Sequence, residues 1–429
     1  MLAYRLLSVL ALALYTPYAL FRSLSGRRKI GDIAGRMGRR PYPDLDGGVW
    51  IHAVSVGEVG VAKNLLGELS RRAAGARLGL SVTTAAGTDV ARRSAAGFPP
   101  GVAVFSFPLD LAGPVERALD GVRPGLILLT ETEIWPLFLA RARRRSIPVA
   151  LVNGRLSERS FRRYRLAGAW LARVLDGVAL FAMQTEADAS RIRRLGAPSD
   201  RVFVTGNVKY DVGSPPPFAD ADRLREAARG RPVVAAASTG EGEEEMVLTA
   251  WSALPSGARP LLVLAPRRPE RFDAVARMVE RRGLPLLRRS RSDAPLVGAG
   301  TDVYLLDSIG ELSSLYLETR LAFIGGSLIA AGGHNPIEAW AAGVPAVAGR
   351  HMENFREIAE AGERATILER VADADGLAAA FAAALADPAG TAARGERARG
   401  IVEESRGAGR RTVDRVLLLW DGRRERTAP

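Results

Sequence analysis

Three short clusters of charged residues stand where apolar runs end, and each has side chains that can take a proton or hold an anion. VSVGEVG, residues 54 to 60, puts Glu58 after an apolar run and near the start of a helix. Gly57 permits the tight turn, and a carboxylate in that place is kept ionised by the helix dipole and can accept a proton from an attacking hydroxyl. Glutamate in a first helical turn is equally a capping residue, and spacing leaves both roles open. TETEIWP, residues 130 to 136, carries Glu131 and Glu133. In a non-helical turn these point apart unless the backbone kinks, and Trp135 and Pro136 argue for a kink. One carboxylate can orient substrate while the other is structural; capping of the next helix is the competing role. GNVKYD, residues 206 to 211, carries Lys209, one of only three lysines. An ammonium is a point charge suited to a leaving phosphate or a carboxylate; a surface lysine at a strand end is the default alternative.

The second half supplies anion-binding turns. STGEGEEE (238–245) opens a helix after a strand and offers N–H groups. LAPRRPERF (264–272) sets Arg267 and Arg268 at a strand end beside prolines, and SIGEL (308–312) can meet a nucleotide base through backbone atoms. Residues 323 to 349, FIGGSLIAAGGHNPIEAWAAGVPAVAG, read as strand, glycine-rich turn, short helix and strand. The turn exposes N–H groups to an anion and the helix start adds a positive dipole end. Glu338 can then accept hydrogen bonds from two ribose hydroxyls, which points to a nucleotide-linked donor. GEG at 240–242 lacks the third glycine of a dinucleotide fingerprint.

The elements that must hold these groups alternate apolar β-branched runs with amphipathic stretches, the pattern of parallel α/β layers. Strands are expected at 49–56, 78–83, 102–107, 126–130, 149–153, 179–184 and 202–206, then at 233–237, 261–265, 303–306, 321–324 and 346–348. VGSPPPFADAD (212–222) breaks any element and marks a linker. The expectation is two Rossmann-like, doubly wound domains facing a cleft, with ligands at the carboxyl ends of the strands. Residues 370 to 400 read as helical, and 407–423 as a last helix, with a return across the first domain open to it.

At 429 residues the chain is long enough for two cores, and 47% hydrophobic with 25% charged is a globular balance. There is no cysteine, which removes disulfides, zinc–thiolate sites and iron–sulfur clusters. His52, His334 and His351 are too scattered for a histidine-built metal site. The net charge of +13 is almost all arginine; with aromatics at 6% and no binding motif, nucleic acid is a poor partner. Residues 2 to 21 are apolar apart from Arg5 and a few hydroxyls, about a bilayer span, and a basic run follows. The order of charge and apolar core is the reverse of a signal peptide. The expectation is an uncleaved anchor or embedded helix over 1–22, with the catalytic bulk in the cytoplasm. DLD (44–46) reads as solvated acid. RARRR (141–145) reads as a solvated helix face, with lipid phosphates or a membrane surface as the alternative.

Taken together and in order, WIHAVSVGEV, TTAAGTD, TETEIWP, NGRLSERS, GNVKYD, STGEGEE, LAPRRPERF, GEL and GGHNPIEAWAAGVPAVAGRHMENF resemble the 3-deoxy-D-manno-octulosonic acid (Kdo) transferases, over nearly the whole chain. The resemblance implies an α/β GT-B glycosyltransferase fold with an N-terminal membrane-anchor helix. It implies transfer of Kdo from CMP-Kdo to a lipid A precursor (lipid IVA) on the cytoplasmic face of the inner membrane, with no cofactor and no metal. The implied layout is an anchor helix at 1–22, an acceptor-binding domain at 23–211, the linker, a CMP-sugar-binding domain at 223–406 and a helix at 407–429. It makes Glu58 the general base, and gives Glu131 and Lys209 transition-state roles. CMP falls to Pro266 and Arg267, to Ile309, Gly310 and Glu311, and to Asn335, Pro336, Ile337 and Glu338. The chain departs from the family pattern at Gly240, where histidine is usual and whose loss Arg268 can make up, at Leu137 in place of asparagine, and at Gly154 in place of alanine. The alternatives are another GT-B enzyme using a UDP-sugar, and a non-catalytic membrane-tethered nucleotide-binding protein.

Overall fold

The computed structural model describes residues 32–93, 101–291 and 300–427. The expected anchor over 1–22 lies outside them. Among the described residues no single helix is long and apolar enough to cross a membrane. The chain divides into two compact units: residues up to Asp211 together with those from Ser405 onward, and Val212–Glu404.

In the first unit, β1 (Val49–Ala53), β2 (Leu78–Val82), β3 (Ala103–Ser106), β4 (Leu126–Thr130), β5 (Val149–Gly154), β6 (Leu180–Met183) and β7 (Val202–Val204) form one parallel sheet. Its order is β3-β2-β1-β4-β5-β6-β7. Both faces are covered: Trp50, Ile127 and Leu129 face one apolar layer, Val49, Ile51, Leu126 and Leu128 the other. That is why these strands read as unbroken apolar runs. The order reverses between β1 and β4, so their carboxyl ends open a crevice at the switch point.

The last helix, Ala408–Thr427, belongs to this unit. Val413, Val416 and Trp420 join its apolar layer, Trp420 Nε1 donates to the Gly47 carbonyl at 3.0 Å, and Thr412 bonds Thr205. The Asp211 carboxylate accepts the N–H groups of Gly407, Ala408 and Gly409 at 2.5–3.2 Å. An anion thereby caps the helix where the chain re-enters the unit.

The second unit holds β8 (Val233–Thr239), β9 (Leu261–Pro266), β10 (Leu286–Arg288), β11 (Val303–Leu305), β12 (Leu321–Ile324), β13 (Ala346–Ala348) and β14 (Leu368–Arg370). The order is β10-β11-β9-β8-β12-β13-β14, again parallel, with the switch between β8 and β12. Two differences from the sequence reading stand out. β10 and β14 are extra strands at the sheet edges, and the helix Ala221–Ala228 begins inside the segment read as linker.

Candidate active site

Glu58 sits in the first turn of the helix Val56–Arg72, which starts where the first strand was expected to run on. Ser55 is the N-cap, and its hydroxyl accepts the Glu58 N–H. The glutamate reaches back: Oε1 accepts from Ser55 Oγ at 2.8 Å and Oε2 from the Val54 N–H at 2.9 Å. Oε2 also accepts from Thr130 Oγ1 at 2.7 Å, from the end of β4. Capping and carboxylate positioning are therefore the same geometry here. Three donors hold the group, and a carboxylate has about four acceptor positions, so one remains for a substrate hydroxyl. Glu58 is 6% exposed. Burial and the neighbouring Glu131 charge push its carboxyl above the ordinary value, against the pull of its three donors. A raised carboxyl is a stronger base.

Glu131 follows β4 directly. Its φ of +55° is the kink expected of this turn. The left-handed backbone turns its side chain to Lys209, whose Nζ lies 2.7 Å from Oε1, and Arg155 Nε is 3.5 Å from Oε2. Lys209 and Glu131 side chains are 14% and 16% exposed, so the pair is largely removed from water. Glu133, two residues on, is half-buried; burial, then Glu58 and Glu131, push its carboxyl up to about 7.

The turn carrying Lys209, Val208–Tyr210, is held from several sides. Asn153 Oδ1 accepts the Val208 N–H at 2.9 Å, and Asn64 Nδ2 donates to the carbonyls of Val208 and Asp211 at 3.2 and 3.3 Å. Asn153 is fully buried with φ +53°, and its Nδ2 has no partner among the described residues. Thr130, Asn153 and Asn64 escaped sequence reading because none carries charge and their partners are distant in the chain. The only local signal was the polar residue ending an apolar strand.

In the second unit the β8/β12 crevice holds an internal anion. The Glu243 carboxylate accepts the N–H groups of Gly240, Gly326, Ser327 and Leu328 at 2.6–2.9 Å. The first glycine turn, FIGGSL, was expected to offer these groups to a ligand; instead Glu243 satisfies them. An atom added at Gly240 would lie 2.7 Å from Ile329 Cδ1, so Ile329 lines the place of the family histidine. Likewise Gly154 lies against Leu151 and Met183, which leave little room for a methyl group.

The second glycine turn, Gly332 and Gly333, is buried, and the Gly333 N–H is given to the Gly326 carbonyl at 2.8 Å. Asn335 Oδ1 accepts the Ile337 N–H at 3.1 Å and starts the short helix Ile337–Ala341 behind the buried Pro336. Glu338, in its first turn, is exposed. Surrounding protein pushes its carboxyl up while the Arg267 guanidinium pulls it down. Arg267, past the buried Pro266 that ends β9, is exposed and makes no ion pair among the described residues. His334 is pushed down to about 4 by burial and by the same Arg267, so it is neutral at pH 7. Pro266, Arg267, Asn335, Pro336, Ile337 and Glu338 thus end or follow β9 and β12 of one sheet, with Arg267 in electrostatic reach of Glu338. Ile309 and Gly310 form an exposed turn after β11, with Gly310 at φ +90°. The Glu311 side chain is spent: Arg289 donates to both its oxygens at 2.8–3.3 Å and Ser308 bonds it too, leaving that turn's backbone for a ligand. Arg268 is exposed without an ion pair among the described residues.

RARRR is mostly neutralised: Arg141 pairs with Glu116, Arg143 with Asp176, and Arg145 with Glu116 and Asp120. Asp44 of DLD pairs with Arg123. Among the described residues no cluster of three or more His, Asp or Glu side chains could hold a metal ion.

Two doubly wound, parallel-sheet α/β domains are the architecture of the GT-B fold. A solved structure described as the glycotransferase of kitacinnamycin shares the fold, with a TM-score of 0.52 at 18% identity over 91% of this chain and 100% of its own. Residues 28–212 match the family described as 3-deoxy-D-manno-octulosonic-acid transferase (kdotransferase), and 289–401 match glycosyl transferases group 1. The 3-deoxy-D-manno-octulosonic acid transferase of Bordetella pertussis is 37% identical over 394 residues, 90% of this chain and 91% of that one. The enzyme of that name from Haemophilus influenzae is 35% identical over 392 residues, 90% of each. The chain belongs to the Kdo transferase family and is a glycosyltransferase.

Proposed function

We propose that the enzyme moves Kdo from CMP-Kdo to a lipid A precursor in lipopolysaccharide synthesis, with inversion at the anomeric carbon. An acceptor hydroxyl gives its proton to Glu58 as its oxygen attacks that carbon. The bond to the CMP phosphate oxygen breaks, and its electron pair leaves with CMP. Glu131 and Lys209 stabilise the transition state, and Lys209 needs its carboxylate partner to stay in place. CMP is held by Pro266 and Arg267, by the backbone of Ile309, Gly310 and Glu311, and by Asn335 to Glu338. Arg267 offsets the phosphate charge, and Glu338 accepts from the ribose hydroxyls. The phosphate goes beside Arg267, at the start of the helix Ile337–Ala341, because Glu243 already fills the first glycine turn. No metal or cofactor takes part. The enzyme works at the cytoplasmic face of the inner membrane, tethered through its N-terminal segment.

The reading is carried by Glu58: a buried carboxylate of raised pKa, fixed by three donors at a sheet switch point, with one acceptor position to spare. The test is incubation with CMP-Kdo and a tetraacylated lipid A precursor, read by mass spectrometry. Discrete Kdo mass increments are expected. No increment with CMP-Kdo, or transfer from a UDP-sugar instead, would refute the donor assignment.

A further inference from the structure

Of the two carboxylates in TETEIWP, only one is taken up by cations. Glu131 meets Lys209 through Oε1 at 2.7 Å and Arg155 through Oε2 at 3.5 Å. Glu133 makes no ion pair among the described residues, yet it is half-buried at the same strand end. The turn that carries it is held on both sides. The Glu131 N–H donates to the Val152 carbonyl at 2.9 Å, Thr132 Oγ1 to the Arg155 carbonyl, and the Ile134 N–H to the Thr132 carbonyl at 3.2 Å. Beyond it, Trp135 leads into the helix Pro136–Arg144, whose Leu137 and Phe138 N–H groups donate to the Asp110 carboxylate at 3.1 and 2.7 Å. The Trp135 ring packs on Phe107, with ring centres 5.6 Å apart. Glu133 therefore sits between an anchored strand end and a capped helix, with little freedom to turn away.

The charges around Glu133 suit an acid better than a carboxylate. Glu58, from the helix Val56–Arg72, and Glu131 act on it as like charges, and the Trp135 indole draws it the other way. Tyr164, from the helix Glu158–Arg165, has its hydroxyl pushed up by burial first and by Glu133 next. Lys209 and Arg155, the cations of this strand end, are held by Glu131. Glutamine would fill the same space without the cost of burying an acid, so packing does not account for the residue. Groups retained against stability cluster at functional sites. We propose that Glu133 binds the acceptor sugar as the neutral acid, its O–H donating to one acceptor oxygen while its carbonyl accepts from a hydroxyl beside the one that attacks. A protonated carboxyl can do both, whereas a carboxylate only accepts. Burial and the two like charges set its carboxyl at about 7, so much of the free enzyme holds this proton at neutral pH. Two neighbouring carboxyls then divide the work, Glu58 as the ionised base and Glu133 as the neutral donor. This assignment rests on the function proposed above.

The test is steady-state transfer by the full-length protein at saturating CMP-Kdo, with the tetraacylated lipid A precursor varied. Glu133→Ala should raise the acceptor KM about tenfold, through loss of a hydrogen-bonding partner, and change the CMP-Kdo KM by less than about twofold. Glu133→Gln keeps one donor and one acceptor and should recover most of that loss. The pH profile separates the neutral acid from the carboxylate. In the parent, kcat/KM for the acceptor should fall as pH rises through about 7, and in Glu133→Gln this alkaline fall should be absent. That comparison does not depend on the alanine variant folding. An unchanged acceptor KM in Glu133→Ala would overturn the proposal, as would a glutamine variant no better than alanine. An alkaline fall that persists in Glu133→Gln contradicts the neutral form. A change in kcat alone would mean that Glu133 only tunes Glu58, and also defeats the assignment. Equilibrium titration with a fluorescent tetraacylated precursor keeps the two readings apart. Affinity that follows the same variants and the same pH, in a protein that transfers no Kdo, would support Glu133 as an acceptor-binding residue and refute the proposed transfer.

Discussion

Lys209 Nζ lies 2.7 Å from Glu131 Oε1, and this ion pair joins the end of β4 to a turn 78 residues later. Both side chains are about one-seventh exposed, so removing one leaves the other partly buried without its partner. Lys209→Met and Glu131→Gln should each destabilise the first unit by about 1–3 kcal/mol, and the double variant by clearly less than the sum. Arg155, 3.5 Å from Glu131, softens the loss of the lysine, so Lys209→Met should be the milder single change. Urea unfolding of the four proteins measures this cycle; strictly additive losses would mean the pair is not coupled.

Glu133 gives the site a pH signature. Its carboxyl is raised from an ordinary 4.5 to about 7, by burial first and by two neighbouring carboxylates next. Below about pH 4.5 it is protonated folded or unfolded. Between about pH 4.5 and 7 the unfolded chain ionises this acid while the folded protein keeps it protonated, so stability falls across that window and levels off above it. Glu133→Gln removes the penalty. Its gain over the parent should grow by about 1–3 kcal/mol between pH 5 and pH 8, or roughly 2–4 °C in Tm for each kcal/mol. An equal Tm gap at both pH values would mean Glu133 is ionised throughout.

Much of the fold was legible because doubly wound sheets bury both faces. Strands such as Leu126–Thr130 and Leu321–Ile324 are unbroken apolar runs in the sequence and have those same bounds in the structure. Leu286–Arg288 and Leu368–Arg370 were not legible: they are three residues long, lie at sheet edges and each carries an arginine, so no apolar run marks them. At the site, side-chain type at strand ends singled out Glu58, Glu131 and Lys209, but not who meets whom. The Thr130 bond to Glu58, the Asn153 bond to the Lys209 turn and the closing of the first glycine turn by Glu243 all join residues at least 55 positions apart. Local pattern carries no information about such partners, and a glycine-rich turn filled by its own protein looks in sequence like one awaiting a phosphate.

On the donor side, Arg267 is the exposed cation that pulls on both Glu338 and His334. Arg267→Ala should weaken CMP binding by about ten- to a hundredfold, the loss of a charge-assisted phosphate contact. Titration calorimetry measures it. The His334 imidazole, held near 4 by burial first and Arg267 second, should titrate slightly higher in the variant by NMR. Unchanged CMP affinity would place the phosphate away from Arg267.

Glu58→Gln preserves size and the helix start while removing the proton acceptor. Single-turnover transfer from CMP-Kdo to a lipid A precursor, measured beside CMP affinity, separates chemistry from binding. The variant should lose on the order of 10²–10⁴ in rate while binding CMP within about twofold of the parent. A variant that transfers Kdo at the parent's rate would contradict the assignment of Glu58 as the base.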